Sequence, residues 1–188
     1  MKIGLYFGTF DPVHNGHIAV AKQAFLQKLV DEIWFILTPT SPFKQGTIIA
    51  SKENRLKMLQ IALANTGFPA HASDVEFDLP YPQYTSKSLE HIVKLYPDFI
   101  FSLIMGSDSY FSLPKWHNAN FIINNFQVYV YARQNNKIDK ISPKTTFLSG
   151  KKINISSSNI RISFSREFIN YSMLDHNVLE FIKKNQVY

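Results

Sequence analysis

Cysteine is absent from the 188 residues, which excludes disulfides, thiolate catalysis and Cys-based zinc sites. That absence suits a reducing compartment, and a cytoplasmic location is the expectation. Glycine (7) and proline (9) are too scarce for a collagen-like or linker-rich chain. No apolar run reaches the roughly 18–20 residues a membrane helix needs, so no membrane partner is expected. The opening MKIGLYFGTFDP is no leader by pattern, because its apolar stretch is short and Asp11 interrupts it. What is present is a globular balance, 45% hydrophobic against 18% charged, on a length that predicts one domain over residues 1–188. Lys and Arg number 20 against 14 Asp and Glu, a net charge of +6. Such a surface attracts polyanions, from nucleic acids to phosphorylated small molecules. The basic residues are scattered, with Lys151-Lys152 and Lys183-Lys184 the densest pairs. No Arg-rich helix or arm points to nucleic acid.

Hydrophobic patterning predicts alternating strands and helices. Residues 2–7 (KIGLYF) read as a buried strand running into a turn at Gly8, followed by a helix with Ile18, Ala21, Ala24, Phe25 and Leu29 at helical spacing. Glu32–Thr38 is a second strand, and Pro39 and Pro42 enforce a loop holding Phe43, Lys44 and Gln45. Ser51 caps a helix through Asn65; Val75–Phe77 reads as a short strand; a helix begins at Thr85 or Ser86 and ends at Pro97. Phe99–Met105, Gln127–Ala132 and Thr145–Leu148 read as further strands. A helix from about Asn159 and another capped by Asp175 close the chain. Continuous apolar strands of this kind belong in a parallel sheet covered on both faces. The predicted class is therefore α/β: a Rossmann-like open parallel sheet with helices on both faces and a small helical C-terminal end. Ligands in such sheets bind at the carboxyl ends of the strands.

Two segments carry chemistry. The first strand runs into Gly8-Thr9-Phe10-Asp11-Pro12-Val13-His14-Asn15-Gly16-His17. Gly8 allows close backbone approach, and the following helix N-terminus makes a phosphate site. His14 and His17, three apart, share a face if the helix begins near Asn15, and Gly16 leaves room beside the rings. Two imidazoles there can donate to phosphate oxygens as charge builds in a displacement. Zinc ligation by the pair lacks a third ligand, so no protein metal site is expected. The second segment is Ile155-Ser156-Ser157-Ser158-Asn159-Ile160-Arg161, where hydroxyls, a helix N-terminus and a forked guanidinium suit the β- and γ-phosphates of a triphosphate. Taken alone, the serines are equally readable as N-caps and Arg161 as a surface residue.

Together these two segments, about 140 residues apart, resemble the paired signatures of the nucleotidylyltransferase superfamily. Within it the chain is similar to the bacterial nicotinate-nucleotide adenylyltransferase family. The similarity covers the loop Thr38–Lys44, Glu53-Asn54-Arg55 with Met58, Tyr84-Thr85 with Ser88-Leu89, Gly106-Ser107-Asp108-Ser109, Leu113–Trp116 and the ending Phe181–Tyr188. The chain departs from the family pattern at Phe7, where a glycine is usual, at Phe43, where a histidine is usual, and at Ser158, where threonine is common.

The resemblance implies transfer of the adenylyl group of ATP to nicotinate mononucleotide. It implies catalytic roles for His14, His17 and Arg161. Gly8, Thr9, Phe10, His14, His17, Ser156, Ser157, Ser158 and Arg161 would hold ATP, with Gly106 and Asp108 on its ribose. Trp116 would stack on the acceptor's pyridine ring, Thr85 and N–H groups near His117 would read its carboxylate, and Lys44 would meet phosphate. Mg²⁺ would be bound mainly through ATP phosphates. Homo-oligomerisation is left open. The alternatives are nicotinamide mononucleotide or another phosphorylated acceptor, a catalytically silent nucleotide-binding protein on the same fold, and an RNA-binding protein exploiting the +6 charge.

Overall fold

The computed structural model describes residues 1–40, 48–131, 140–150, 153–165 and 171–188. Six strands form one all-parallel sheet in the order β3-β2-β1-β4-β5-β6. They are β1 (Lys2–Gly8), β2 (Glu32–Leu37), β3 (Ala70–Ser73), β4 (Ile100–Gly106), β5 (Gln127–Tyr131) and β6 (Thr145–Leu148). Between them run α1 (Asn15–Leu26), α2 (Lys52–Leu63), α3 (Thr85–Leu95), α4 (Ser107–Ser112) and α5 (Ala119–Asn125); α6 (Ser157–Ser165) and α7 (His176–Asn185) follow β6.

The pleat sends successive side chains to opposite faces, which is why apolar runs cover both. Phe35, Leu37 and Ile104 meet Val20 and Ala24 of α1, Met58 and Leu59 of α2, Ile160 of α6 and Val178 and Ile182 of α7. Their strand neighbours Ile36, Leu103 and Met105 face the other way, toward Leu89 and Ile92 of α3, Tyr110 of α4 and Ile122 of α5. The Rossmann-like architecture with helices on both faces is thus present. The strand order reverses between β1 and β4, which opens a crevice at the carboxyl ends of those two strands.

Local elements differ from the sequence reading at several points. Val75–Phe77 is a turn, not a strand: Phe77 N–H donates to the Asp74 carbonyl at 2.8 Å, and the edge strand is the preceding Ala70–Ser73. Helix α1 begins at Asn15, as the shared face of His14 and His17 requires, but ends at Leu26 short of Leu29; α2 ends at Leu63 rather than Asn65, and α6 begins at Ser157 rather than Asn159. Helices α4 and α5, of 6 and 7 residues, had no counterpart in the patterning, being too short to show a period.

Candidate active site

One cavity of about 710 Å³ opens at the crevice between β1 and β4. Gly8, Thr9, Phe10, His14, His17, Thr85, Gly106, Asp108, Trp116, His117, Ser156, Ser157, Ser158 and Arg161 all line it. Lys44 and its neighbour Phe43 lie outside the described residues. The volume is in the range of sites that enclose a small ligand or cofactor.

At one end the chain is cross-bonded on itself. Gly8 ends β1 against the Phe10 ring: an added Cβ would sit 2.9 Å from it. Phe10 holds a left-handed φ of 45°, a strained conformation for an aromatic residue. Its ring is buried edge-on to His17, 5.1 Å between centroids, and to Tyr6, so it supports the site from beneath.

His14 and His17 form a reciprocal cap on α1. His17 N–H donates to His14 Nδ1 at 3.3 Å, and His14 N–H donates to His17 Nδ1 at 3.2 Å. A ring nitrogen that accepts carries no proton, so both neutral imidazoles are set in the tautomer with the proton on Nε2. The rings stack 3.6 Å apart, inclined by 19°. Gly16 makes this stack possible: a Cβ there would lie 2.9 Å from the His14 ring and 3.0 Å from Ile153.

The second segment meets the first directly. Ser156 Oγ accepts the Asn159 N–H at 3.2 Å, a cap for α6, while Ser157 Oγ donates to the Pro12 carbonyl at 2.9 Å. Arg161 Nη1 donates to the Asp11 carbonyl at 2.6 Å and lies 3.5 Å from Asp11 Oδ2; its Nη2 reaches Ser158 Oγ at 3.4 Å. The first turns of α1 and α6 thus line one cavity with two imidazoles and a guanidinium. That donor set stabilises oxyanions.

The acceptor-side residues are held by neighbouring side chains. Trp116 is half-buried, with Nε1–H donating to Ser112 Oγ at 3.0 Å. The exposed His117 ring stacks on Tyr84, 4.3 Å apart and inclined by 12°, with Nδ1 3.1 Å from Ser86 Oγ. Thr85 is the first residue of α3. Asp108 lies in the exposed first turn of α4 and not at its cap, which is Gly106.

Three buried polar residues with structural work at this site were not singled out for a role in the sequence. Asp11 accepts from Ile49 N–H at 2.9 Å, Ala50 N–H at 3.1 Å and Tyr188 Oη at 2.7 Å, besides facing Arg161. Arg55 is 2% exposed and donates to the carbonyls of Ala50, Thr9, Thr38 and Pro39 at 2.7–3.1 Å, clamping the ends of β1 and β2. Burial holds its guanidinium below the usual range, with Asp11 opposing that shift. The signal was there: Arg55 shares the buried face of α2 with Met58, Leu59 and Leu63. Glu76 is 1% exposed and lies beside Thr38, which lines the cavity. Ser88 of α3 donates to its Oε1, and Oε2 is buried with no bonded partner. Burial, partly offset by Ser88 and Thr38, raises its carboxyl to about 7.

Among the described residues no cluster of three His, Asp or Glu side chains could hold a metal ion, and no helix is long and apolar enough to cross a membrane. Residues 5–162 match the cytidylyltransferase-like family model. The protein of Flavobacterium johnsoniae named "Probable nicotinate-nucleotide adenylyltransferase" is 36% identical over 192 residues, covering 100% of this chain and 99% of the relative. Its namesake in Christiangramia forsetii is 37% identical over 191 residues, covering 100% and 98%. A solved Plasmodium falciparum nicotinic acid mononucleotide adenylyltransferase complexed with NaAD superposes with a TM-score of 0.79 at 20% identity, covering 100% of this chain and 97% of that one. At that identity the likeness is one of fold.

Proposed function

The chain belongs to the cytidylyltransferase-like family and, within it, to the nicotinate-nucleotide adenylyltransferases; from that premise we propose that it joins ATP and nicotinate mononucleotide into nicotinate adenine dinucleotide, releasing pyrophosphate. An oxygen of the acceptor phosphate attacks the α-phosphorus of ATP. The bond from that phosphorus to the oxygen bridging to the β-phosphate breaks, and pyrophosphate leaves with the electron pair. The attacking oxygen is already anionic, so no general base is needed. Catalysis is alignment and charge stabilisation.

The observation that carries this reading is the reciprocal cap of His14 and His17, which leaves both rings as Nε2–H donors beside the α1 N-terminus. Those donors would take the phosphate oxygens of ATP, with Arg161 and the α6 N-terminus on the departing pyrophosphate. Gly106 and Asp108 would hold the ribose. Trp116 would carry the pyridine ring, and Thr85 with N–H groups near His117 would read its carboxylate. ATP would enter as its Mg²⁺ complex, the ion held by phosphate oxygens and water. Asp11 is already engaged by four donors, and the described residues offer no cage for a cation. A cytoplasmic location would supply ATP to this reaction.

The test uses ATP labelled at the α-phosphorus with nicotinate mononucleotide. Label in a dinucleotide and none in pyrophosphate is the expected result. Label recovered only in ADP or unreacted ATP contradicts adenylyl transfer.

A further inference from the structure

We infer that Tyr188 is a positioning residue that acts through Asp11 to keep the charge of Arg161 available to the departing pyrophosphate. The inference rests on the adenylyl-transfer reading above. After α7 the chain reverses at Gln186, whose φ is 49°, and Val187 N–H bonds back to the Ile182 carbonyl at 3.1 Å. That turn delivers the Tyr188 ring beside Phe164, 5.8 Å between centroids, and its hydroxyl to Asp11 Oδ1.

At 2.7 Å this is the shortest of the contacts on the Asp11 carboxylate. Burial and the neighbouring carboxylate hold the phenol neutral, so the hydroxyl donates and the carboxylate accepts. The direction matters for Arg161. Its firm bond is to the Asp11 backbone carbonyl at 2.6 Å, and the side-chain carboxylate stands off at 3.5 Å. Tyr188 and the Ile49 and Ala50 N–H groups already satisfy that carboxylate. Its pull on the guanidinium is therefore weakened, and the guanidinium faces the cavity with charge to spare. Without the phenol, Asp11 would draw Arg161 into a tight ion pair, at the expense of a bound anion.

Tyr188→Phe separates this role from packing, with Phe164→Leu as the packing control. Loss of one hydrogen bond to a charged group is worth roughly tenfold. We therefore expect Tyr188→Phe to lower kcat about tenfold and weaken calorimetric binding of inorganic pyrophosphate by a similar factor. The acceptor KM should stay close to the parent's, and the melting temperature should fall by only a few degrees, the cost of the one lost bond. Phe164→Leu should lower the melting temperature while leaving kcat and pyrophosphate affinity unchanged. Parental kcat and pyrophosphate affinity in Tyr188→Phe overturn the inference. So does a Tyr188→Phe chain that fails to fold, or a Phe164→Leu chain with the same kinetic loss. A parent that binds pyrophosphate more tightly than Tyr188→Phe yet turns over no acceptor keeps the positioning role and removes the adenylyl-transfer reading instead.

Discussion

The two ends of the cavity are built differently. At the phosphate end the contacts join residues far apart in the chain: Ser157 to Pro12, Arg161 to Asp11, Tyr188 to Asp11, Arg55 to Thr9. Most of those partners are backbone atoms or buried side chains. At the acceptor end the contacts are between side chains: Trp116 is held by Ser112, four residues away, and the exposed His117 by Tyr84 and Ser86, the latter 31 residues away. Donors aimed at a developing charge must not reorganise as the charge moves, and long-range cross-bonding provides that. A surface that selects one ring over another needs only a shape and a few donors, which side-chain contacts supply. The phosphate end should therefore answer to substitution in kcat and stability, and the acceptor end in KM.

The largest effect should come from the clamp beneath the phosphate end. Arg55→Met strips donors from four carbonyls, two of them buried with it, and should cost about 3–5 kcal/mol by urea unfolding. A loss below about 1 kcal/mol would show that water replaces the clamp without strain. Next, His17→Ala should lower turnover by roughly 10²–10³, about 3–4 kcal/mol, while ATP binding changes within a modest factor. Turnover within tenfold of the parent, with folding intact, would remove His17 from catalysis.

Glu76, bonded to α3 and close to Thr38 after β2, sharpens the comparison through pH. Its carboxyl titrates near 7 in the fold against an ordinary 4.5, so the folded state holds the proton more tightly. The stabilisation is complete below pH 4.5 and is lost as pH rises through 7, a change of about 3 kcal/mol. Relative to Glu76→Gln, the parent should be more stable at pH 5 than at pH 8. A difference between the two proteins that does not vary with pH contradicts the raised carboxyl. The smallest effect belongs to the acceptor end. Trp116→Ala should weaken the acceptor by about 1–3 kcal/mol and leave the KM for ATP nearly unchanged. A variant that merely unfolds would make Trp116 a core residue.

The same contrast explains what could be read from the sequence. The sheet was legible because fully buried parallel strands are continuous apolar runs, as in FIFSLIM, and Gly8 to His17 stood out because strand, glycine and paired imidazoles are adjacent in the chain. The work of Asp11 and Tyr188 was not legible, because each acts through partners 38 to 177 residues away; the spacing of Arg55 with Met58 and Leu59 showed a shared face, but not the carbonyls it clamps. Val75–Phe77 misled because an apolar pair around Glu76 mimics a strand, whereas burial of its carboxyl and the Asp74 carbonyl bond close a turn there. Trp116 and His117 sit together between α4 and α5, helices too short to carry a period.

The most direct test of the central claim is pyrophosphate release from ATP, measured side by side with nicotinate mononucleotide, nicotinamide mononucleotide and phosphopantetheine. A carboxylate takes several N–H donors, whereas an amide turns its own N–H toward some of them and leaves donors unpaired. The account predicts that the acid exceeds the amide by at least about tenfold in kcat/KM, roughly 1.4 kcal/mol, with phosphopantetheine inert. Equal efficiency with acid and amide, or a preference for phosphopantetheine, would contradict it.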